Sequence, residues 1–265
     1  MTEIKLMLIN FSQFLMRLKS FRKFALILSW ERHRYDAKQI CKIISPSNIV
    51  LRGPFSGMKY PSLNSDGSVL LTKILGSYED ELHEIIFSLI KNNYTEIIDV
   101  GCAEGYYAVG FARSMRSSKI YAYDIDGKVL QMCRDMAVLN NAEDGIVFGN
   151  FCSPETLGDF KFSGKGLIIC DCEGYETTLF NNENFRNLNA CDLLIEVHNL
   201  IDRDIRNYLE NLFGSTHYVQ IINSKLKHVD DYEELKSIGI KYYSDKILFE
   251  RASRMEWMFL KSKTG

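Results

Sequence analysis

The sequence predicts an α/β protein, a mostly parallel sheet with helices on both faces. Three observations carry that expectation. Short apolar β-type runs alternate with amphipathic helix patterns over the second half of the chain, which is how parallel strands are connected and covered. One junction, Thr95–Gly105 (TEIIDVGCAEG), reads as a strand, a glycine-marked turn and then a helix, the arrangement of a nucleotide-type binding loop. The chain has 265 residues, 46% hydrophobic and 25% charged, enough for one large domain with an N-terminal elaboration.

The elements follow in order. Residues 1–45 read as helical, ending before Pro46, and residues 47–76, with their prolines and glycines, read as a loop or hairpin. Ser77–Asn92 is expected to be one helix. Leu82, Ile85, Ile86, Leu89 and Ile90 form its apolar stripe, and Ser77 with Asp80 makes a capping-box-like start. Strands are then expected at Glu96–Val100, Lys119–Tyr123, Gly145–Phe148, Gly166–Cys170, Leu193–Val197, Tyr218–Ile222 and Trp257–Leu260. Helices are expected at Gly105–Met115, at Lys128–Asn140 behind an Asp126 cap, and at Arg203–Phe213. The organisation expected is an extension over 1–50, a covering segment over 51–94 and a main domain over 95–265.

Charge and cysteine usage narrow the partners. The net charge of −2 gives no basic field, so no nucleic-acid partner is expected. The seven cysteines are odd in number and sit in apolar settings, as small core residues of a reducing compartment. A cytoplasmic location is therefore expected. No run is long enough to span a bilayer. Residues 1–30 mix Leu, Ile, Met and Phe with Lys5, Arg17, Lys19, Arg22 and Lys23. They are read as a helix packed on the domain or in a homodimer interface, with peripheral membrane association as the alternative.

The glycine loop can be read for its ligand. A dinucleotide fingerprint needs glycines at 101, 103 and 106, and these positions hold Gly101, Ala103 and Tyr106. Tyr106 blocks the close helix approach that fingerprint uses. Asp99, at the loop's base, would repel a phosphate and suits a cationic amino group. A second acid, Asp124, stands roughly twenty residues on, at the tip of the next strand, where ribose hydroxyls are bound. Asn150 and Phe151, with Phe148, lie at the exit of the third strand, a place for an adenine ring.

The fourth and fifth strands end in acids. The first reads Ile168-Ile-Cys-Asp-Cys-Glu-Gly-Tyr-Glu176 and the second Leu194-Ile-Glu-Val-His198. If the two strands are neighbours, Asp171, Glu173, Glu196 and His198 meet at the carboxyl edge of the sheet. On alternation, Asp171 and Glu173 share a face if their strand continues. Such a group holds a cation, faces one, or keeps a proton on one member. The bland reading makes Glu173 and Glu176 solvated residues at a helix start.

Taken together, Asp99–Gly105, Asp124, the D-x-E-G-x-E run from Asp171 to Glu176, and Glu196-Val-His198 resemble the FkbM-type branch of the class I methyltransferases. The likeness spans roughly residues 95–200. One departure is Ile125, where the family often has proline. The resemblance implies a Rossmann-like class I methyltransferase fold with a seven-stranded sheet. It implies S-adenosylmethionine as cofactor, contacted by Tyr78, Glu79, Asp99, Gly101, Cys102, Ala103, Glu104, Gly105, Asp124, Ile125, Asn150, Phe151 and Asp171. It also implies O-methylation of a small-molecule, lipid or glycan acceptor, with Asp171, Glu173, Glu196 and His198 as catalytic candidates. His198 is the expected base and Asp171 its rival. No resident metal is expected, though the same four residues could hold a divalent ion. His217 is expected to be structural. The rival readings are a nucleotide-dependent oxidoreductase and a binding module that keeps the fold.

Overall fold

The computed structural model describes residues 19–63, 70–199, 204–238, 245–250 and 255–264. The Met1–Leu18 part of the expected N-terminal helix, the turn around Asn64–Gly67 and Arg203 lie outside these.

Seven strands form one sheet: β1 (Glu96–Val100), β2 (Lys119–Tyr123), β3 (Ile146–Gly149), β4 (Gly166–Cys170), β5 (Asp192–Val197), β6 (His217–Asn223) and β7 (Glu256–Ser262). Their order is β3-β2-β1-β4-β5-β7-β6. The first five strands run parallel, and β7 lies antiparallel to both β5 and β6. The expected strands form, with ends differing by up to about two residues.

The sheet is apolar on both sides because its central strands are buried throughout. Alternation divides their side chains between two cores. Ile97, Leu167, Ile169 and Leu194 face one core, and Ile98, Ile168, Cys170, Leu193 and Ile195 face the other. The first is covered by helices α1 (Lys19–Ile44), α2 (Leu70–Leu75), α3 (His83–Ile90), α4 (Tyr106–Ser114) and α5 (Gly127–Leu139). The second is covered by α6 (Pro154–Asp159), α7 (Glu176–Leu179), α8 (Phe185–Leu188) and α9 (Ile205–Phe213). The short α10 (Glu233–Ser237) adds Leu235 to the first.

The structure corrects the expected helix over Ser77–Asn92. A 3-10 turn at Asp80–Leu82 leads into α3, which starts only at His83. Glu79 caps the turn in a left-handed conformation without a side-chain bond, so the expected capping box is not formed. Ser77 is buried instead. The loop expected over 47–76 contains α2, whose six residues are all buried, and a single antiparallel bridge between Ile49 and Lys59. By contrast, Asp126 caps α5 as expected, accepting a hydrogen bond from the Lys128 N–H. All seven cysteines are free thiols. No helix among the described residues is long and apolar enough to cross a membrane.

Candidate active site

Between β1 and β4 the strand order reverses direction. At such a switch point the loops beyond the carboxyl ends of the two strands part and leave a crevice. An open cleft of about 290 Å³ lies there. Its walls are Val100 and Gly101 after β1, Tyr123, Asp124 and Ile125 after β2, Asn150, Phe151 and Cys152 after β3, and Asp171, Cys172, Glu173 and Tyr175 after β4. The five sequence-predicted residues Gly101, Asp124, Ile125, Asn150 and Phe151 are thus brought together, with Asp171 on the opposite wall.

Gly101 is required at its position. Its φ is +81°, and a Cβ there would meet the Asp171 carbonyl oxygen at 1.8 Å. The glycine lets the loops after β1 and β4 touch, which fixes the cleft floor. Asp124 is held by two backbone groups. Its Oδ2 accepts from the Ala103 N–H at 3.0 Å and its Oδ1 from the Asp126 N–H at 2.9 Å. That bond ties the glycine loop to the tip of β2 and leaves lone pairs on each oxygen. Phe151 is half-exposed and pairs with Tyr175, ring centroids 5.7 Å apart.

Asp99 follows Ile97 on one face of β1, and Asp171 and Glu196 follow Ile169 and Leu194 on the same face of the sheet. Cys170 is level with Ile195, so Asp171 and Glu196 come one step further along neighbouring strands. Asp99 is buried and its Oδ2 has no hydrogen-bond partner. Burial pushes its pKa up to about 8, with the charges of Asp171 and Asp124 adding and the Ala108 backbone N–H opposing.

His198 sits just beyond β5 and is buried, 3% exposed. Its Nδ1 is 2.5 Å from Glu176 Oε1. Its Nε2 lies 3.4 Å from Asp171 Oδ1, 3.5 Å from Glu173 Oε2 and 3.9 Å from Glu196 Oε2. The three expected acids are therefore gathered around one nitrogen of the fourth residue, His198. The route differs from alternation, because β4 stops at Cys170 and Glu173 reaches the group from a left-handed turn with φ 54°. The solvated reading holds for Glu173, whose side chain is 76% exposed, and fails for Glu176, which is fully buried. Only the place of Glu176 in the D-x-E-G-x-E run signalled it, because a carboxylate at a helix start is ordinarily solvent-facing. Burial pulls the His198 pKa down, but the Glu176 hydrogen bond and charge, with Asp171 and Glu173 adding, outweigh it and hold the imidazole above its ordinary value. A ring so held is a poor proton acceptor at neutral pH, which counts against His198 as a free-standing base.

Several expected residues are engaged elsewhere. Tyr78 stacks edge-on against Tyr106, 4.9 Å between centroids, and Glu79 accepts a hydrogen bond from the Tyr107 hydroxyl. The Glu79 N–H faces Glu250, which also pairs with Lys227. Glu104 forms a buried ion pair with Lys73 and lines a separate cavity beside Tyr60, Met132 and Asp135. Cys102 and Gly105 pack towards α5, where a Cβ on Gly105 would meet the Cys133 sulfur at 2.7 Å, while the Ala103 N–H stays on Asp124. His217 is structural, as expected. Its Nε2 bonds the Cys191 carbonyl at 2.9 Å, near the start of β5 and so at the opposite edge of the sheet.

No protein-family model matches this chain, and no curated protein matches it in sequence. Solved structures with a similar chain path include the O-methyltransferase TomG of Streptomyces achromogenes in complex with SAM, at 10% identity and TM-score 0.47, covering 71% of this chain and 82% of that one. Another is the precorrin-6Y C5,15-methyltransferase of Geobacter metallireducens, at 13% identity and TM-score 0.45, covering 68% and 87%. A third is TrmN of Thermus thermophilus, at 12% identity and TM-score 0.45, covering 69% and 49%. The architecture itself, five parallel strands extended by the antiparallel β7 and β6 with helices on both faces, is a Rossmann-like α/β fold.

Proposed function

We propose that this chain is an S-adenosylmethionine-dependent methyltransferase of FkbM-like type, acting on an oxygen of a small-molecule, lipid or glycan acceptor. The observation that carries the reading is the pairing of two features at one sheet edge. A cleft with a glycine floor, a fixed carboxylate at Asp124 and an aromatic wall at Phe151 adjoins a buried carboxylate–histidine group. The cleft suits an adenosyl ligand: the ribose hydroxyls donate to Asp124 and the base lies along Phe151 beside Asn150. Asp171, and Asp99 once a cation against it offsets the cost of its burial, favour an ammonium or a sulfonium there and disfavour phosphate.

The reaction is an in-line displacement. The acceptor oxygen forms a bond to the methyl carbon, the carbon–sulfur bond breaks, and its electron pair stays on sulfur as the neutral thioether. Alignment of donor and acceptor supplies up to about 7–11 kcal/mol of the acceleration. The Asp171–Glu196–His198 group, on the cleft wall through Asp171, activates the acceptor oxygen by taking up its proton or stabilising its charge. No nucleic-acid partner is part of this reading. A cytoplasmic enzyme fits the seven free thiols, and homodimer or membrane contacts through residues 1–30 remain part of the proposal.

Side-by-side calorimetry with S-adenosylhomocysteine and NAD tests it. The reading expects binding of the first at one per chain and none of the second. NAD binding alone would favour the oxidoreductase, and neither would favour a binding module.

A further inference from the structure

We propose that Asp171, Glu196 and His198 form a binding site for one divalent transition-metal ion, with Glu176 as the positioning residue of the histidine. The site goes beyond the methyl-transfer reading and stands on metal binding alone.

Geometry is the first support. One oxygen each from Asp171 and Glu196 and a ring nitrogen of His198 lie within 4.8 Å of one another. The closest approaches to Nε2, 3.4 Å from Asp171 and 3.9 Å from Glu196, are too long for direct hydrogen bonds. They are also too short for two groups sharing a bridging water, which stand about 4.5 Å apart. Two donors on one ion at about 2.1 Å stand roughly 3.0–3.4 Å apart at angles of 90–109°, and at most about 4.2 Å. The observed set meets that spacing if the widest pair closes by about half an ångström.

The second support is independent of the acids. His198 is 97% buried by its 3% exposure, yet its Nε2 has no hydrogen-bond partner. Its Nδ1 is taken by the fully buried Glu176 at 2.5 Å. When Nδ1 carries the proton in that bond, Nε2 presents a lone pair to the acids. A histidine that ligates a metal is held in this way, one nitrogen donated to a carboxylate and the other left for the ion. Glu176 is itself oriented, its Oε1 accepting from the Gly174 N–H at 3.2 Å.

The donor set selects the ion. One imidazole and two carboxylates suit manganese, iron(II) or zinc, whereas magnesium prefers oxygen alone. Glu173, with its side chain largely exposed and 3.5 Å from Nε2, stands at the mouth of the group, where a further ligand or a substrate oxygen would enter. On the methyl-transfer reading, a hydroxyl bound there would lose its proton to Glu173 more easily, and the resulting oxyanion would attack the methyl carbon.

The test uses the full chain, stripped with a chelator and titrated with Mn²⁺ while free Mn²⁺ is followed by electron paramagnetic resonance. One Mn²⁺ per chain is expected to bind, with electron spin-echo modulation from one histidine nitrogen. His198→Ala should weaken binding by at least about 100-fold, and Glu176→Gln by roughly 10–100-fold. His228→Ala, at the exposed pair with Asp245, should change nothing. Absence of binding for both Mn²⁺ and Zn²⁺, binding without nitrogen modulation, or binding lost in His228→Ala and kept in His198→Ala would each overturn the site. The modulation is read on the wild-type chain, so a variant that fails to fold does not rescue the proposal. S-adenosylhomocysteine is titrated into the same samples. Metal bound without it keeps this site and removes the methyl-transfer reading, and the converse result does the reverse.

Discussion

Asp99→Asn isolates the cost of one buried carboxyl. Asp99 lies on the core face of β1 with one oxygen unpartnered and a pKa moved from its ordinary 3.8 to about 8. A carboxyl whose folded pKa is raised contributes fully below its unfolded pKa and loses that contribution as pH rises through the folded value. The shift of about four units corresponds to on the order of 5 kcal/mol lost between pH 4 and pH 8. Asparagine matches the protonated acid in shape and keeps an oxygen for the Ala108 N–H. Urea unfolding of both proteins, extrapolated linearly at each pH from 4 to 8.5, is the assay. The two should be about equally stable at pH 4. The variant should then gain over wild type steadily, by up to about 1.4 kcal/mol per pH unit. A difference that stays constant across the range would refute the account of Asp99. In the presence of S-adenosylhomocysteine the gap should narrow, because the ligand's ammonium favours the ionised acid.

Two further substitutions probe the cleft. Gly101→Ala places a Cβ 1.8 Å from the Asp171 carbonyl at a left-handed φ, so it should cost at least about 1–2 kcal/mol, or roughly 2–8 °C in Tm. Gly127→Ala, where a Cβ meets nothing within 4 Å, should leave Tm unchanged or slightly raised, and equal losses in the two would contradict the close-approach argument. Phe151→Ala removes a half-exposed ring and should shift stability by no more than about 0.5 kcal/mol. Its affinity for S-adenosylhomocysteine, measured by calorimetry, should fall roughly two- to tenfold.

The sequence made the sheet legible because its evidence is local. Glu96–Val100, Gly166–Cys170 and Asp192–Val197 are short runs rich in Ile, Leu and Val, too short for helices and bounded by turns, which is how buried parallel strands read. Asp99, Asp171, Glu196 and His198 could be placed at one sheet edge from their positions at strand ends. The helices α6, α7 and α8 were not legible, since segments of four to six residues are too short to show a helical period. The surroundings of Tyr78, Glu79 and Glu104 were not legible for a different reason. Their partners Tyr107, Glu250 and Lys73 are distant in sequence, and no local pattern announces such pairs. Glu176 was visible as a letter in a motif, but its burial against His198 depends on how α7 turns back onto β5.

A crystal structure of the chain soaked with S-adenosylhomocysteine tests the central claim most directly. The account predicts ribose hydroxyls within hydrogen-bonding distance of the Asp124 carboxylate, the adenine along Phe151, and the thioether sulfur on the side of the cleft next to Asp171. Ligand density elsewhere, or an empty cleft at saturating concentration, would contradict it.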